Sequence, residues 1–154
     1  MGDVMAKSKI HLRVITPDRI KFDNVADMVI MRTTTGDMGI LPGHAPYSAA
    51  LDYGALRILD LEEGYEYRIA VFGGIAEIKD DVLTVVANAA ERPEDIDRRR
   101  AEKERDKMQR HLQESADNLD LQKDHARLRR MLVRLEVSSY PLIKKHDNKP
   151  DTEK

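Results

Sequence analysis

The chain has 154 residues, enough for one good core plus an appendage but hardly for two large domains. A net charge of −2 argues against a nucleic-acid binder, because phosphate affinity comes from accumulated positive charge. With no cysteine there is no disulfide framework and no thiolate metal site, which is compatible with the cytosol, and neither a membrane-spanning apolar run nor a secretory leader pattern is present.

The averages conceal a division. Residues 1–90 carry 9 Lys+Arg against 13 Asp+Glu, residues 91–154 carry 17 against 15, and all eight glycines fall at or before Gly74. A glycine-punctuated first part meets a glycine-free, densely charged second part near residue 91, which reads as a domain boundary.

The first part reads as short strands. Ile10, Leu12 and Val14 alternate with His11 and Arg13, the period-2 pattern of a half-buried strand. Met28–Arg32 is apolar on both faces and so expected to be more buried. Further strands are expected at Ala55–Leu61, Tyr65–Phe72, Ile75–Lys79 and Val82–Ala87. Turn signals separate them at Thr16-Pro17-Asp18, Asp52-Tyr53-Gly54, Glu62-Glu63-Gly64 and Lys79-Asp80-Asp81. About ten short strands at this spacing indicate a β-sandwich or barrel.

One stretch stands apart. Gly36 to Pro46 holds three glycines and two prolines, which specify a sharply turned loop with Pro42-Gly43 at the centre of a type II turn. Met38, Ile40 and Leu41 are apolar residues inside this loop. Such a loop is either tucked onto its own core or presented to a partner.

The second part reads as helix. Pro93 followed by Glu94 and Asp95 is a helix start, and Ile96, Ala101, Met108 and Leu112 recur at roughly helical spacing. Ser115-Ala116-Asp117-Asn118 interrupts the pattern as a turn. A second run puts Leu121, Leu128, Leu132 and Leu135 on one face and stops before Ser138-Ser139-Tyr140-Pro141. Two helices joined by a short turn form an antiparallel hairpin. Its apolar stripes are thin, so it is expected to dock marginally and to swing away if a partner offers comparable contacts. Residues 138–154 are expected to form a polar, disordered tail.

No catalytic set emerges. The five histidines form no metal-spaced pair, the Gly-rich loop lacks the Lys-Ser/Thr of a phosphate-binding loop, and Asp80-Asp81 reads as a hairpin turn. Arg127, Arg130 and Arg134 step by three and four and so share one helical face, and folding the hairpin at about residue 118 brings Arg100 opposite Arg134. That face is either a solvated surface tied by salt bridges to Glu102, Glu104 and Asp106, or an anion pocket, since guanidinium forks suit phosphate.

Four segments together resemble one family. The loop reads Gly-x-x-Gly-Ile-Leu-Pro-Gly-His-Ala-Pro. Phe72-Gly73-Gly74-Ile75-Ala76-Glu77-Ile78, Leu83 to Arg92, and Ile96-Asp97-Arg98-Arg99-Arg100-Ala101 follow in order. The set, covering about residues 8 to 137, is similar to the ε subunit of bacterial F-type rotary ATP synthases. The resemblance implies a non-catalytic central-stalk subunit of a proton-translocating ATP synthase. Its β-sandwich (8–90) would bind the γ subunit and the membrane rotor ring (the c-ring), followed by a regulatory helical hairpin (91–137). The extended hairpin would reach the catalytic α/β subunits and block hydrolytic rotation.

By the same resemblance, ATP as a regulatory ligand is expected on Glu91, Ile96, Asp97, Arg100, Ala101, Arg130 and Arg134. Lys107 stands where strong binders are expected to carry arginine. Asp37, Met38, Gly39, Ile40, Pro42 and His44 are expected to meet partners, with Asp37 toward the ring and His44 toward γ. The implied location is the cytoplasmic face of the bacterial membrane, as a peripheral component. A free-standing ATP-sensing module and a structural adaptor without nucleotide response are the alternatives.

Overall fold

The structure is a computed structural model that describes residues 8–114 and 118–140, with backbone only at 118–120. Eight strands come first: β1 (Ile10–Ile15), β2 (Ile20–Ala26), β3 (Met28–Thr33), β4 (Gly36–Ile40), β5 (Tyr47–Asp60), β6 (Tyr65–Lys79), β7 (Val82–Ala87) and β8 (Ala90–Glu91). A 3₁₀ turn over Pro93–Asp95 leads into α1 (Arg98–Glu114) and α2 (Asn118–Ser139). The β-sandwich followed by an antiparallel helical hairpin is the fold class expected above.

The strands join in the order β2-β1-β7-β6-β5-β3-β4, with β8 on β6. The two long strands let one sheet wrap into two layers. Gly74–Lys79 of β6 pairs with β7, while Ala70 and Val71 in its first half pair with β8. The inward residues of each strand then share one core, with Ile10, Leu12, Val29, Ile69, Ile78, Leu83 and Val85 at its centre.

Fewer strands appear than the turn signals imply, for two physical reasons. Asp52-Tyr53-Gly54 lies inside β5, not in a turn. A Cβ on Gly54 would stand 2.6 Å from the Cβ of Arg32, so the glycine admits a close strand crossing. Tyr65–Phe72 and Ile75–Lys79 are one strand, bent where Gly73 and Gly74 take φ +77° and +134°. Asp80 and Asp81, at φ 49° and 60°, do make the tight β6–β7 hairpin turn.

The hairpin departs from expectation in three places. Pro93 opens the 3₁₀ turn, and α1 starts only at Arg98, where the Asp97 carboxylate accepts the Arg100 N–H at 3.1 Å as its cap. Ser138 and Ser139 continue α2, and Tyr140 lies under the Arg68 guanidinium, so the expected tail does not begin at 138; residues 141–154 lie outside the described residues, as does most of the turn at Ser115–Asp117.

Thirdly, α2 is apolar on two sides rather than along one leucine stripe. Met131 and Leu135 pack on Ala101 of α1, while Val133 and Val137 pack on Ala70 and Phe72 of the sandwich. Two residues along a helix rotate by about 200°, so these pairs point to nearly opposite sides. Leu132, between them, is 45% exposed. The helix is wedged between α1 and the sheet, and α1 itself has no comparable packing against any strand.

Candidate functional site

The segment Gly36–Tyr47 divides into two parts. Gly36–Ile40 is an edge strand, with Ile40 opposite Val29 and Met38 opposite Met31. Ile40 is fully buried in the sandwich core and is not presented, contrary to expectation, while Met38, also expected to meet a partner, is half-buried and packs against that core. Asp37 is exposed and accepts the Arg32 Nε–H at 2.6 Å, and Gly39 is exposed beside it.

Leu41 to His44 then form the expected turn. The His44 N–H reaches the Leu41 carbonyl at 3.2 Å, and Gly43 sits at φ +82° after Pro42. The Gly43 N–H also donates to Asp81 Oδ1 at 2.6 Å, pinning the loop to the β6–β7 turn. Leu41 is exposed, and half-buried His44 stands edge-on to Tyr47. The apolar residues of this segment are thus split between tucking and presenting.

A cleft of about 270 Å³ opens at the base of the hairpin, and six of the seven residues expected to bind nucleotide line it. Each is placed by a local cause. Glu91 is fixed by the pairing of β8 with β6, and Asp97 caps α1. Ala101 is small enough to be buried in the helix seam. Arg134 grips Glu91 through both forks, Nη2 to Oε1 at 2.6 Å and Nε to Oε2 at 2.8 Å. Its guanidinium also lies 5.4 Å from the Phe72 ring centroid. The bond to Glu91 raises the Arg134 pKa above its ordinary value against the opposing effect of burial, so it stays charged.

Arg100 points outward, 77% exposed, and donates to Glu104 Oε1 at 3.0 Å within its own helix. Glu102, Glu104 and Asp106, read as partners across the hairpin, pair instead with Arg98, Arg100 and Arg105 of α1 itself, while Arg129 and Arg134 of α2 pair with Asp52 and Glu91 of the sandwich. With Asp95 and Asp97, four carboxylates face two guanidiniums here. An anion entering the cleft has to displace Glu91 or Glu104 from arginines already shaped to hold it.

Arg127, Arg130 and Arg134 share a helical face but not a site. Arg130 leaves the cleft, lies over the Tyr53 ring and donates to the Tyr53 hydroxyl at 3.3 Å. Arg127 lines a separate cleft between the helices with Lys107, His111 and Asp124. There His111 Nδ1 lies 2.7 Å from a carboxylate oxygen of the buried Asp124. Sequence reasoning missed Tyr53 and Phe72, an edge-to-face pair with centroids 5.8 Å apart that carries the docked arginines. The signal was the aromatic residue at Tyr53, hidden by reading Asp52-Tyr53-Gly54 as a turn.

Among the described residues no group of three or more His, Asp or Glu converges as metal ligands. Fold and cleft together define a β-sandwich carrying a docked helical hairpin with an ion-paired seam between them. Residues 9–93 match the family model described as ATP synthase, delta/epsilon chain, beta-sandwich domain. The chain is 38% identical over 137 residues to the ATP synthase epsilon chain of Ligilactobacillus salivarius, covering 87% of this chain and 98% of that one. It is 39% identical over 129 residues to the ATP synthase epsilon chain of Bacillus subtilis, covering 84% and 96%. The chain belongs to the ATP synthase epsilon-chain family, whose members are non-catalytic subunits of the rotary complex. Its fold also matches a chain in the cryo-EM structure of the Euglena gracilis mitochondrial ATP synthase (OSCP/F1/c-ring, rotational state 1), with a TM-score of 0.73 at 23% identity over 90% of this chain and 86% of that one.

Proposed function

We propose that the chain is the central-stalk ε subunit of a bacterial, proton-translocating F-type ATP synthase, peripheral on the cytoplasmic face of the membrane. The sandwich joins the γ subunit to the c-ring, with the exposed part of Gly36–Tyr47 as a contact surface. The hairpin is a mobile inhibitor of ATP hydrolysis that reaches the α/β subunits when extended, and ATP is its regulatory ligand. The observation that carries this is the cleft at the hairpin base. Glu91 and Asp95 line it from the sandwich side, Arg100 and Arg134 from the hairpin.

A ligand touching both sides binds the docked state better than the undocked one, and that difference alone shifts the equilibrium. At a ligand concentration 100 times Kd the shift is about 2.7 kcal/mol, with no hydrolysis required. The cleft is smaller than the roughly 300–1,000 Å³ of typical ligand pockets, so it would hold part of ATP while the rest stays in solvent.

A second reading has its own support. Both guanidiniums are already matched by Glu91 and Glu104, as in a structural adaptor that needs no nucleotide. Calorimetry with ATP decides between them. For the sensor, Arg100→Ala and Arg134→Ala each weaken binding, non-additively when combined, while Arg98→Ala does not. Absence of heat at millimolar ATP leaves the adaptor. Separately, a complex lacking residues from 94 onward should hydrolyse ATP faster than the intact one; an unchanged rate refutes the inhibitory role.

A further inference from the structure

The two layers of the sandwich part at one edge. Ile10, Leu12 and Val14 of β1 are fully buried, and their partners on the edge strand β2 are Ala26, Asn24 and Phe22. Inward-facing positions of a closed sandwich are apolar and covered by the opposite layer. Here Ala26 is buried, Phe22 is half-buried and Asn24 is exposed, so the opposite layer does not close over this row.

A crevice of about 570 Å³ lies there, within the roughly 300–1,000 Å³ of typical ligand pockets. Ile58 of β5 and Tyr65 and Tyr67 of β6 line it together with Phe22 and Asn24, and no described residue of α1 or α2 does. The rings form a continuous wall. Phe22 and Tyr67 stack at 6.0 Å between centroids with planes 25° apart, Tyr65 and Tyr67 at 6.5 Å and 9°. Such a wall offers flat apolar area to another ring.

The polar groups of the crevice are unevenly matched. Asp60 accepts the N–H groups of Glu62 and Glu63 at 3.1 and 3.0 Å, and Glu94 accepts the Tyr67 hydroxyl at 3.0 and 3.1 Å. Asp23 accepts from His11, Asn24 Oδ1 accepts the Val25 N–H at 2.8 Å, and Arg92 is bound to Asp95 at 2.9 Å. What remains is a set of donors. The Lys21 ammonium, the Asn24 amide NH₂ and the Tyr65 hydroxyl make no hydrogen bond or ion pair among the described residues. Lys21 is also aimed by the backbone. Val14 pairs with Phe22 and Ile15 with Ile20, so Lys21 is the extra residue of a β-bulge, a device that turns a side chain out of the strand's alternation. Burial, then the nearby Glu94 charge, raise the Tyr65 pKa above its ordinary value, so its hydroxyl stays a donor.

We propose that this crevice binds a small aromatic carboxylate, its ring laid on the Phe22–Tyr67–Tyr65 wall and its carboxylate held by Lys21, with Asn24 and Tyr65 as further donors. An organic cation would find every acceptor occupied, and an uncharged ring would leave Lys21 without a counter-charge. The three acids at the crevice are already offset, by Arg13 beside Asp23, Lys9 near Asp60 and Arg92 at 3.9 Å from Glu94. The site belongs to the sandwich alone, so it stands apart from the nucleotide reading of the hairpin cleft.

Amide NMR spectra of the full chain, titrated with naphthoate, test the proposal. Shifts should centre on Asn24, Tyr65 and Tyr67 and saturate at millimolar ligand. Naphthylmethylammonium, the same ring carrying a cation, should bind more weakly. Lys21→Met should weaken naphthoate by about three-fold and leave the weaker binding of uncharged naphthamide unchanged. Asn24→Trp, which sets an indole in the crevice, should abolish the naphthoate response while the amides of Ile69 and Leu83 keep their positions. If Asn24→Trp loses the dispersed signals of a folded sandwich, Lys21→Met and the comparison of the two ions decide. No response at millimolar naphthoate, shifts centred elsewhere, equal affinity for both ions, or unchanged naphthoate affinity in Lys21→Met overturns the proposal.

Discussion

Val137 is fully buried although it sits on a helix outside the sandwich core, in the contact made with Ala70 and Phe72. Val137→Ala removes two methyl-sized groups from a closed site. At about 0.8 kcal/mol each, plus part of a cavity cost, docking should weaken by about 2 kcal/mol. That is roughly a thirty-fold drop in the docking equilibrium. Undocked, the two helices have only the thin seam of Ala101, Met131 and Leu135 to hold them, so amide hydrogen exchange in α1 and α2 should accelerate by the same factor. Amides of Ile69 and Leu83, deep in the sandwich, should keep their rates. Leu132→Ala deletes a larger side chain but an exposed one, and should change nothing beyond about 0.5 kcal/mol. Equal acceleration in the strands would show that sandwich and hairpin unfold as one unit. Equal effects of Val137→Ala and Leu132→Ala would refute the assignment of the docking face.

Gly74→Ala should be among the most damaging single changes, at about 4 kcal/mol or more in urea melting, because its Cβ would fall 2.1 Å from the Val86 carbonyl oxygen. Gly43→Ala, with a positive φ but open space around it, should cost only about 1–2 kcal/mol in the same assay. Asp97→Ala removes the α1 cap and should lower the stability of the hairpin by about 1 kcal/mol, read as faster exchange confined to its amides. Burial alone would raise the Glu66 pKa, but bonds from Arg57 and Tyr140 and the charge of Arg68 hold it below the ordinary carboxylate value. A carboxylate depressed in this way contributes stability above its unfolded pKa and loses it as pH falls through the folded one. The anchoring of Tyr140 should therefore be unchanged from neutral pH down to the ordinary carboxylate range and fail only below it, measured by exchange of the last turn of α2 across a pH series.

What was legible in the sequence was local chemistry. The alternation of Ile10, Leu12 and Val14, the left-handed pair Asp80-Asp81 and the turn at Pro42-Gly43 depend on a few adjacent residues, and each took the expected form. Ile96, Asp97, Arg100 and Ala101 gathered at one cleft because a helix start fixes their spacing. What depended on a distant neighbour was not legible. Gly54 is small because Arg32 crosses it, and nothing near Gly54 in the chain says so. The two-sided character of α2 arises because it lies between two bodies, a fact absent from its own periodicity. Arg130 parted from Arg134 for the same reason, since the Tyr53 hydroxyl comes from a strand far away in sequence.

Asp81 serves three segments at once. Its backbone, at φ 60°, closes the β6–β7 hairpin, its carbonyl accepts the His11 N–H at 2.9 Å, and its carboxylate holds Gly43. The loop at Leu41–His44 is thereby held in one shape before anything approaches it. Ordering of a flexible loop is a large part of what association costs, and here that entropy was lost when the sandwich folded. A surface prepared in this way can be small and still bind firmly. It can also be released and regained repeatedly without refolding.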